Sequence, residues 1–138
     1  MRAVPDTNVI VRAAFRRDDP DSLLRQARRG AFEIVTSSAL LSELASVLKR
    51  AHIQPKLGWS DDQIESFVQA LREASSVVSP KSRIQVVRDE SDNRFLEAAI
   101  EGQADYIVSA DDDLLVLGDY EGIGIVTTAR FLAILHAE

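Results

Sequence analysis

The 138-residue sequence predicts an α/β fold, a three-layer α/β/α sandwich whose mostly parallel sheet has about 4–6 strands. Short apolar segments with strand character alternate along the chain with segments that carry a helical apolar stripe. That alternation favours right-handed crossovers between parallel strands. The length is typical of one domain and no repeat or long linker divides it, so we expect a single domain over residues 1–138.

The first half of the chain is expected to begin with a strand and to continue with helices. Its expected elements are a strand at 2–6, helices at 8–15 and 22–29, and a strand at 32–36. Gly30 is the expected end of the second helix, and Ser37 and Ser38 are candidate caps for a third. This third helix has the apolar spacing of a packed face, formed by Leu40, Leu41, Leu44, Val47 and Leu48.

The second half begins with a loop that contains Pro55 and Gly58. Ser60 then opens a helix whose inward face is formed by Ile64, Phe67, Val68 and Leu71. The expected elements that follow are short apolar stretches at 76–79 and 84–87, a helix at 93–101, a strand at 105–109, a short helix from 111, a strand at 123–126 and a helix at 127–136. Gly102 and Gly118 are the expected ends of two of these helices.

Composition excludes several classes of protein. The chain has no cysteine, so it has neither a disulfide framework nor a thiolate zinc site. No apolar run approaches the roughly 18–20 residues of a membrane span, and we expect a cytoplasmic protein. The net charge of −6 would argue against a nucleic-acid partner, but it is unevenly distributed. Residues 1–60 have ten basic and six acidic side chains, a net +4, and the remainder has six basic and sixteen acidic ones, a net −10.

Acidic residues stand where ligands collect in open parallel sheets, at the carboxyl ends of strands. Asp6 closes the first expected strand, and Asp111 closely follows the strand at 105–109. Asp92 lies at the start of the helix that leads into that strand. Glu43 borders the buried stripe of the third helix, about 40° of helical rotation from Val47. We therefore expect these four carboxylates to converge at one edge of the sheet.

Each acid alone has an ordinary explanation. Asp92 and Asp111 fit helix N-caps, and Glu43 fits a partly exposed helix residue. Asp6 is different because a carboxylate that ends a central apolar strand is costly to desolvate unless a cation or a hydrogen-bond donor meets it. Four converging carboxylates would repel each other strongly without a cation. Oxygen ligands without cysteine or histidine point to Mg²⁺ or Mn²⁺, with one or two ions bound.

Four motifs together resemble those of the PIN-domain nucleases, in particular the toxin component of bacterial and archaeal toxin–antitoxin pairs. They are D-T-N-V at 6–9, S-E-L at 42–44, D-x-x-D-N-R-F-L at 89–96 and A-D-Y-I-V-S-A-D-D-D-L at 104–114. D-T-N-V alone is a weak signal, whereas the last two segments at this spacing are fairly specific. The resemblance covers nearly the whole chain and implies a parallel sheet of about five strands between layers of helices.

The resemblance also implies a set of site residues. Its catalytic and metal-binding acids are Asp6, Glu43, Asp92 and Asp111, with Asp113 as a candidate fifth metal ligand. Asn8 and Ser109 match polar positions that orient such ligands, while Asp89 and Asp112 match surface positions. Pro5 departs from the family pattern, since proline removes a hydrogen-bond donor from what should be a central strand. Ala110 stands where relatives often have glycine.

The implied activity is metal-assisted hydrolysis of RNA phosphodiester bonds, with 5′-phosphate and 3′-hydroxyl products. The proton acceptor is left open between Glu43 and Asp111. Arg12, Arg16 and Arg17 are candidates for contacts with RNA phosphates, although a solvated helix face explains them equally well. The resemblance further implies a homodimer that a cognate antitoxin protein inhibits.

Two other functions compete with this interpretation. The first is a non-catalytic PIN-like module that only binds a partner; the presence of all four expected acids gives it little support. The second is a phosphatase or phosphotransfer domain in which Asp6 is the nucleophile. The D-x-D pattern of such phosphatases needs an acid at position 8, where this chain has Asn8.

Overall fold

A computed structural model of the chain describes residues 1–19 and 21–137, within which it has six strands and eight helices. The strands are β1 Arg2–Pro5, β2 Glu33–Ser37, β3 Ser76–Val78, β4 Tyr106–Val108, β5 Asp119–Tyr120 and β6 Ile123–Val126. The helices are α1 Thr7–Phe15, α2 Leu23–Arg28, α3 Ser38–Leu48, α4 Gln54–Leu57, α5 Asp61–Ala74, α6 Glu90–Glu101, α7 Asp112–Leu115 and α8 Thr128–His136. Within these ranges no helix has the length and apolar character needed to cross a membrane.

The strands form one sheet in the order β3-β2-β1-β4-β6-β5, in which every neighbouring pair is parallel except β5 and β6. The chain leaves β1 toward β2 and β3 on one side and later returns to β4 on the other side of β1. The order of strands therefore reverses between β1 and β4, and their carboxyl ends lie side by side. A reversal of this kind creates the crevice in which ligands bind in open α/β sheets.

Apolar layers cover both faces of the sheet, which confirms the expected three-layer α/β/α fold. Successive residues of β1 point to opposite layers, as the pleat requires: Ala3 packs in one and Val4 in the other. The first layer includes residues of α1, α3, α5 and α8, and Phe131 of α8 is fully buried in it against Phe32. The second is built on α6, where Leu96 is fully buried.

Most helix starts agree with the sequence. Ser37, Ser60 and Thr127 cap α3, α5 and α8, and Ser60 forms a capping box with Gln63. The loop expected around Pro55 is instead interrupted by the single turn of α4, which ends at Gly58 with a left-handed backbone, φ +75°. A proline near the start of a helix and a glycine just after its end fit this turn.

Three further elements differ from the expectation. Helix α6 begins at Glu90, three residues before the expected start, because Asp89 caps it. The apolar stretch at 84–87 is not a strand, and its backbone is held by side chains of α6. The two-residue strand β5 was not expected and adds the one antiparallel edge of a sheet expected to have about five strands.

Pro5 fits the central strand because of the direction in which its nitrogen points. The backbone N–H groups of Arg2 and Asp6 both donate toward β4, to Asp105 and Val108. Since donors alternate sides along a parallel strand, the nitrogen of Pro5 faces β2. The pairing of β1 with β4 therefore continues through Pro5, whereas the pairing with β2 ends at Ala3, where the next donor on that side would be the one that proline lacks.

Candidate metal centre

Asp6 is fixed at the reversal point by backbone and side-chain donors. It directly follows β1 and caps α1, with Oδ1 accepting a hydrogen bond from the Val9 N–H at 2.8 Å. Its Oδ2 accepts from the Ser109 hydroxyl and, at 3.3 Å, from the Ala110 N–H. The residue is only 4% exposed. These donors meet the desolvation cost of a carboxylate at the end of a central strand.

Ser109 links the ends of the two central strands. It follows β4 and is fully buried, and its Oγ donates to Asp6 and accepts from the Asp111 N–H at 2.9 Å. Asp111 in turn caps the short helix α7, accepting from the Asp113 N–H at 2.9 Å. One hydroxyl group thus connects the Asp6 carboxylate to the backbone that carries Asp111.

Three carboxylates form the centre of the site. Asp92 lies in the first turn of α6 and is 5% exposed, and it does not cap the helix, since Asp89 does. Oxygens of Asp92, Asp111 and Asp113 all lie within 4.8 Å of one another. Among the described residues, the buried Oδ2 of Asp92 has no hydrogen-bond partner. A buried polar atom without a partner is rare, and a proton, a water molecule or a cation would each satisfy it.

The pKa of Asp92 is raised to about 7 in the absence of a cation. Burial of the carboxyl is the main cause, followed by a hydrogen bond with Asp111 and by the negative charges of Asp111, Asp89 and Asp6. Arg88 offers little compensation, because it is 89% exposed and lies 3.7 Å from Asp113. Near neutral pH the metal-free site therefore holds a proton that a cation would displace.

The donor set fits a hard divalent cation. Ions such as Mg²⁺ and Mn²⁺ bind carboxylate oxygens and retain water molecules, so they need few protein ligands. The three grouped carboxylates provide oxygens at suitable spacing, and the free oxygen of Asp92 is one available ligand atom.

Glu43 does not join this group and is held by a different contact. It is half-buried on α3, and its Oε2 accepts a hydrogen bond at 3.0 Å from the hydroxyl of Thr7, the first residue of α1. Within the part of the chain that the structure describes, neither Glu43 nor Asp6 joins the group of three. The five acids therefore divide into three grouped carboxylates and two outer ones, Asp6 held by Ser109 and Glu43 held by Thr7.

Thr7 and Asn93 are site residues that the sequence analysis missed. Thr7 lies between Asp6 and Asn8 in the D-T-N-V motif, but its contact with Glu43 depends on the packing of α1 against α3. Asn8 is exposed, and its side chain makes no hydrogen bond with any described residue. Asn93 follows Asp92 directly and binds the backbone of Val86 and Val87, which keeps the segment before α6 in place.

The three candidate arginines lie along α1 and just after it, and none of them pairs with one of the five acids among the described residues. Arg12 and Arg16 are exposed one turn apart on α1 and line a groove between α1 and α8. Arg17 lies beyond the end of α1, with its guanidinium carbon 5.2 Å from the centre of the Trp59 ring. Helix α1 begins next to Asp6, and its nine residues span about 13 Å along the helix axis. Arg17 lies beyond the far end of that helix.

Comparison with known proteins gives the following matches. The model of a family described as "PIN domain" matches residues 2–113, a range that contains all five acids. An uncharacterized protein of Methanocaldococcus jannaschii is similar to this chain, with 28% identity over 120 residues. The aligned region covers 86% of this chain and 76% of that protein.

Proposed function

The chain belongs to the PIN-domain family, whose members are generally nucleases that use divalent metal ions, and on this premise we propose that it is a metal-dependent endoribonuclease. The observation that carries the proposal is the group of Asp92, Asp111 and Asp113, with its unpartnered buried oxygen. Hydrolysis of a phosphodiester concentrates negative charge at the reacting phosphate. Carboxylates alone would repel that charge, so this group suits the reaction only as a cation site.

The acidic side chains have two different roles in the proposed reaction, metal binding and positioning. Asp92, Asp111 and Asp113 would hold the Mg²⁺ or Mn²⁺, which when bound neutralises charge on the phosphate and activates a water molecule. Asp6, through Ser109, keeps the backbone of Asp111 in place.

Glu43 is our candidate for the group that accepts the proton of the attacking water. Its carboxylate lies outside the group of three, is oriented by Thr7 and lines an open groove between α3 and α6. Asp111, the other candidate, already accepts a hydrogen bond from the backbone N–H of Asp113. The same geometry does not favour Asp6 as a phosphotransfer nucleophile, because both of its oxygens already accept hydrogen bonds.

We further propose that the protein is the toxin of a toxin–antitoxin pair, acting on cytoplasmic RNA as a homodimer that a cognate antitoxin inhibits. The motif resemblance supports this role. We also propose that residues 1–138 form one PIN domain, because β6 and α8 lie beyond the matched residues and yet complete the same sheet and apolar layer.

Cleavage of RNA tests the enzymatic proposal. We expect single-stranded RNA to be cut with Mn²⁺ or Mg²⁺, and the activity to be lost in EDTA and in Asp111→Asn. Asp112→Asn is the matched control, since Asp112 is an exposed neighbour outside the acid group and its variant should retain activity. Cleavage that persists in both EDTA and Asp111→Asn would contradict the proposal.

Expression in a bacterial host tests the toxin role separately. Strong expression of the unaltered protein should arrest growth, whereas Asp111→Asn expressed to the same level should not. Normal growth with an active, soluble enzyme would rule out the toxin role and leave the nuclease proposal intact.

A further inference from the structure

A basic surface lies at the end of α1 and along α2, away from the acids. Its six arginines are Arg12, Arg16, Arg17, Arg25, Arg28 and Arg29. All six are exposed, and none forms an ion pair with any described residue, although three aspartates lie in the same segment. In a chain of net charge −6, unpaired arginines on one surface create a local positive potential.

Part of this surface is a cleft with an aromatic floor, formed between α2 and the start of α5. Trp59 and Phe67 pack there with ring centres 5.0 Å apart, and Arg17 covers the Trp59 ring. Arg25 and Arg28 line the side of the cleft that α2 provides. Two aspartates, Asp18 and Asp62, also line it, so three arginines leave the lining net positive.

We propose that this arginine-lined cleft binds single-stranded RNA at a site separate from the acid group. The proposal rests on the proposed nuclease function and specifies its substrate as a strand that extends beyond the reacting phosphate. Arg17 is exposed and lies over the buried Trp59 ring, so its guanidinium offers the plane on which an unpaired base stacks, and Arg25 and Arg28 are placed for the phosphates. The acid group repels RNA until a cation is bound, so a distant basic cleft would retain the strand.

Single-stranded RNA fits this cleft better than an acidic protein segment. An acidic segment would pair its carboxylates with the arginines, but it has no base that could stack on the guanidinium above the indole. Double-stranded RNA keeps its bases within the helix, so it would use the arginines without the aromatic floor. The two alternatives therefore predict different responses at Trp59.

The chain provides its own probe, because Trp59 is its one tryptophan. Titration with a single-stranded oligoribonucleotide in EDTA, where no metal-dependent cleavage occurs, should change the Trp59 fluorescence. In Arg25→Ala/Arg28→Ala the affinity should fall about tenfold, and the slope of log affinity against log salt should decrease by about 1.4, for two lost phosphate contacts. Arg29→Ala, which removes one charge of the same basic surface outside the cleft, should lose much less affinity.

Several results would overturn the proposal. They are an unchanged Trp59 signal with RNA, an equal loss of affinity in Arg29→Ala, and a response to polyglutamate or to an RNA duplex that matches or exceeds the response to single-stranded RNA. Circular dichroism of each variant ensures that a loss of affinity is not a loss of fold. RNA binding without any metal-dependent cleavage would support the proposed RNA site in the cleft and would refute the nuclease proposal. Metal-dependent cleavage without a change in Trp59 fluorescence would support the nuclease proposal and would refute the RNA site in the cleft.

Discussion

At the scale of single residues, Asp92 links the acid group to pH. The pKa of its carboxyl is 3.8 in an ordinary environment and about 7 in the metal-free fold. At a pH between these two pKa values, Asp92 is protonated in the folded chain and deprotonated in the unfolded chain. The free energy of unfolding therefore falls as pH rises through this window and stops falling above it.

We predict that metal-free protein loses stability between about pH 4 and pH 7, by at most about 1.4 kcal/mol per pH unit from this one proton. Urea denaturation in EDTA across this range measures it. Asp92→Asn should flatten this part of the profile, and Asp112→Asn should leave it unchanged. An identical slope in the unaltered protein and in Asp92→Asn would refute the assignment to Asp92.

Thr7 gives a second prediction at this scale. Its hydroxyl is the group that holds the Glu43 carboxylate, at 3.0 Å. Thr7→Val keeps the shape of the side chain but removes the donor, so RNA cleavage should fall about 10–100-fold, as losses of such supporting contacts commonly do. Thr7→Ser retains the hydroxyl and should retain most activity. Equal rates in the two variants would show that the contact does not position Glu43.

At the scale of elements, helix α6 positions Asp92 and also holds the segment before it. Asn93 accepts from the Val86 and Val87 N–H groups and donates to the Val87 carbonyl. Glu97, one turn later and 4% exposed, accepts from the Ile84 N–H and pairs with Arg94 at 2.9 Å. The start of α6, and with it Asp92, therefore depends on side-chain contacts to a segment without regular structure.

We predict that Asn93→Ala lowers the free energy of unfolding by about 2–3 kcal/mol, because it leaves buried backbone groups without partners. Urea denaturation measures the loss, and hydrogen exchange should show faster exchange at Val86 and Val87. Asn8→Ala is the matched control for stability, since Asn8 is exposed and contacts no donor or acceptor among the described residues. A similar effect of both substitutions would contradict the role of Asn93.

Elements with an apolar stripe or a capping residue were predictable from sequence, including the four-residue α7 after Asp111, whereas β5 and α4 were not. The apolar stripe and the serine cap determined α3, and its five stripe residues are all buried. Strand β5 has two residues and α4 has four, too few for a periodic pattern to appear. The stretch at 84–87 has the apolar character of a strand, but hydrogen bonds to α6 side chains decide its conformation.

The candidate site shows the same division between local and tertiary information. The sequence predicted Asp6, Glu43, Asp92, Asp111 and Asp113 as the acids of the site. The structure groups the last three, links Asp6 to Asp111 through Ser109 and holds Glu43 through Thr7. Their division into a group of three and two outer acids depends on α6 starting at Glu90 and on α1 packing against α3. No local pattern encodes either contact. The catalytic and metal-binding roles of these residues stay predictions.

At the scale of the whole molecule, the net charge of −6 does not argue against a nucleic-acid substrate, because part of the negative charge is concentrated in one group of acids. The metal-free chain concentrates unfavourable charge where Asp92, Asp111 and Asp113 meet, while the arginines of α1 and α2 remain unpaired at a distance. Two bound divalent ions would change the net charge from −6 to −2 and would remove repulsion at the place where a phosphate must approach. Metal binding should therefore stabilise the fold as well as support catalysis.

We predict that Mn²⁺ at about 100 times its dissociation constant raises the free energy of unfolding by about 2.7 kcal/mol and the melting temperature by about 10 °C. At one fixed Mn²⁺ concentration the gain should be larger at pH 8 than at pH 6, because Asp92 must lose its proton before it can bind a cation and the dissociation constant therefore rises as pH falls. Calorimetry with Mn²⁺ and then with excess EDTA measures both effects. Asp111→Asn should lose the gain and Asp112→Asn should keep it. An equal gain in the two variants would place the cation elsewhere in the protein.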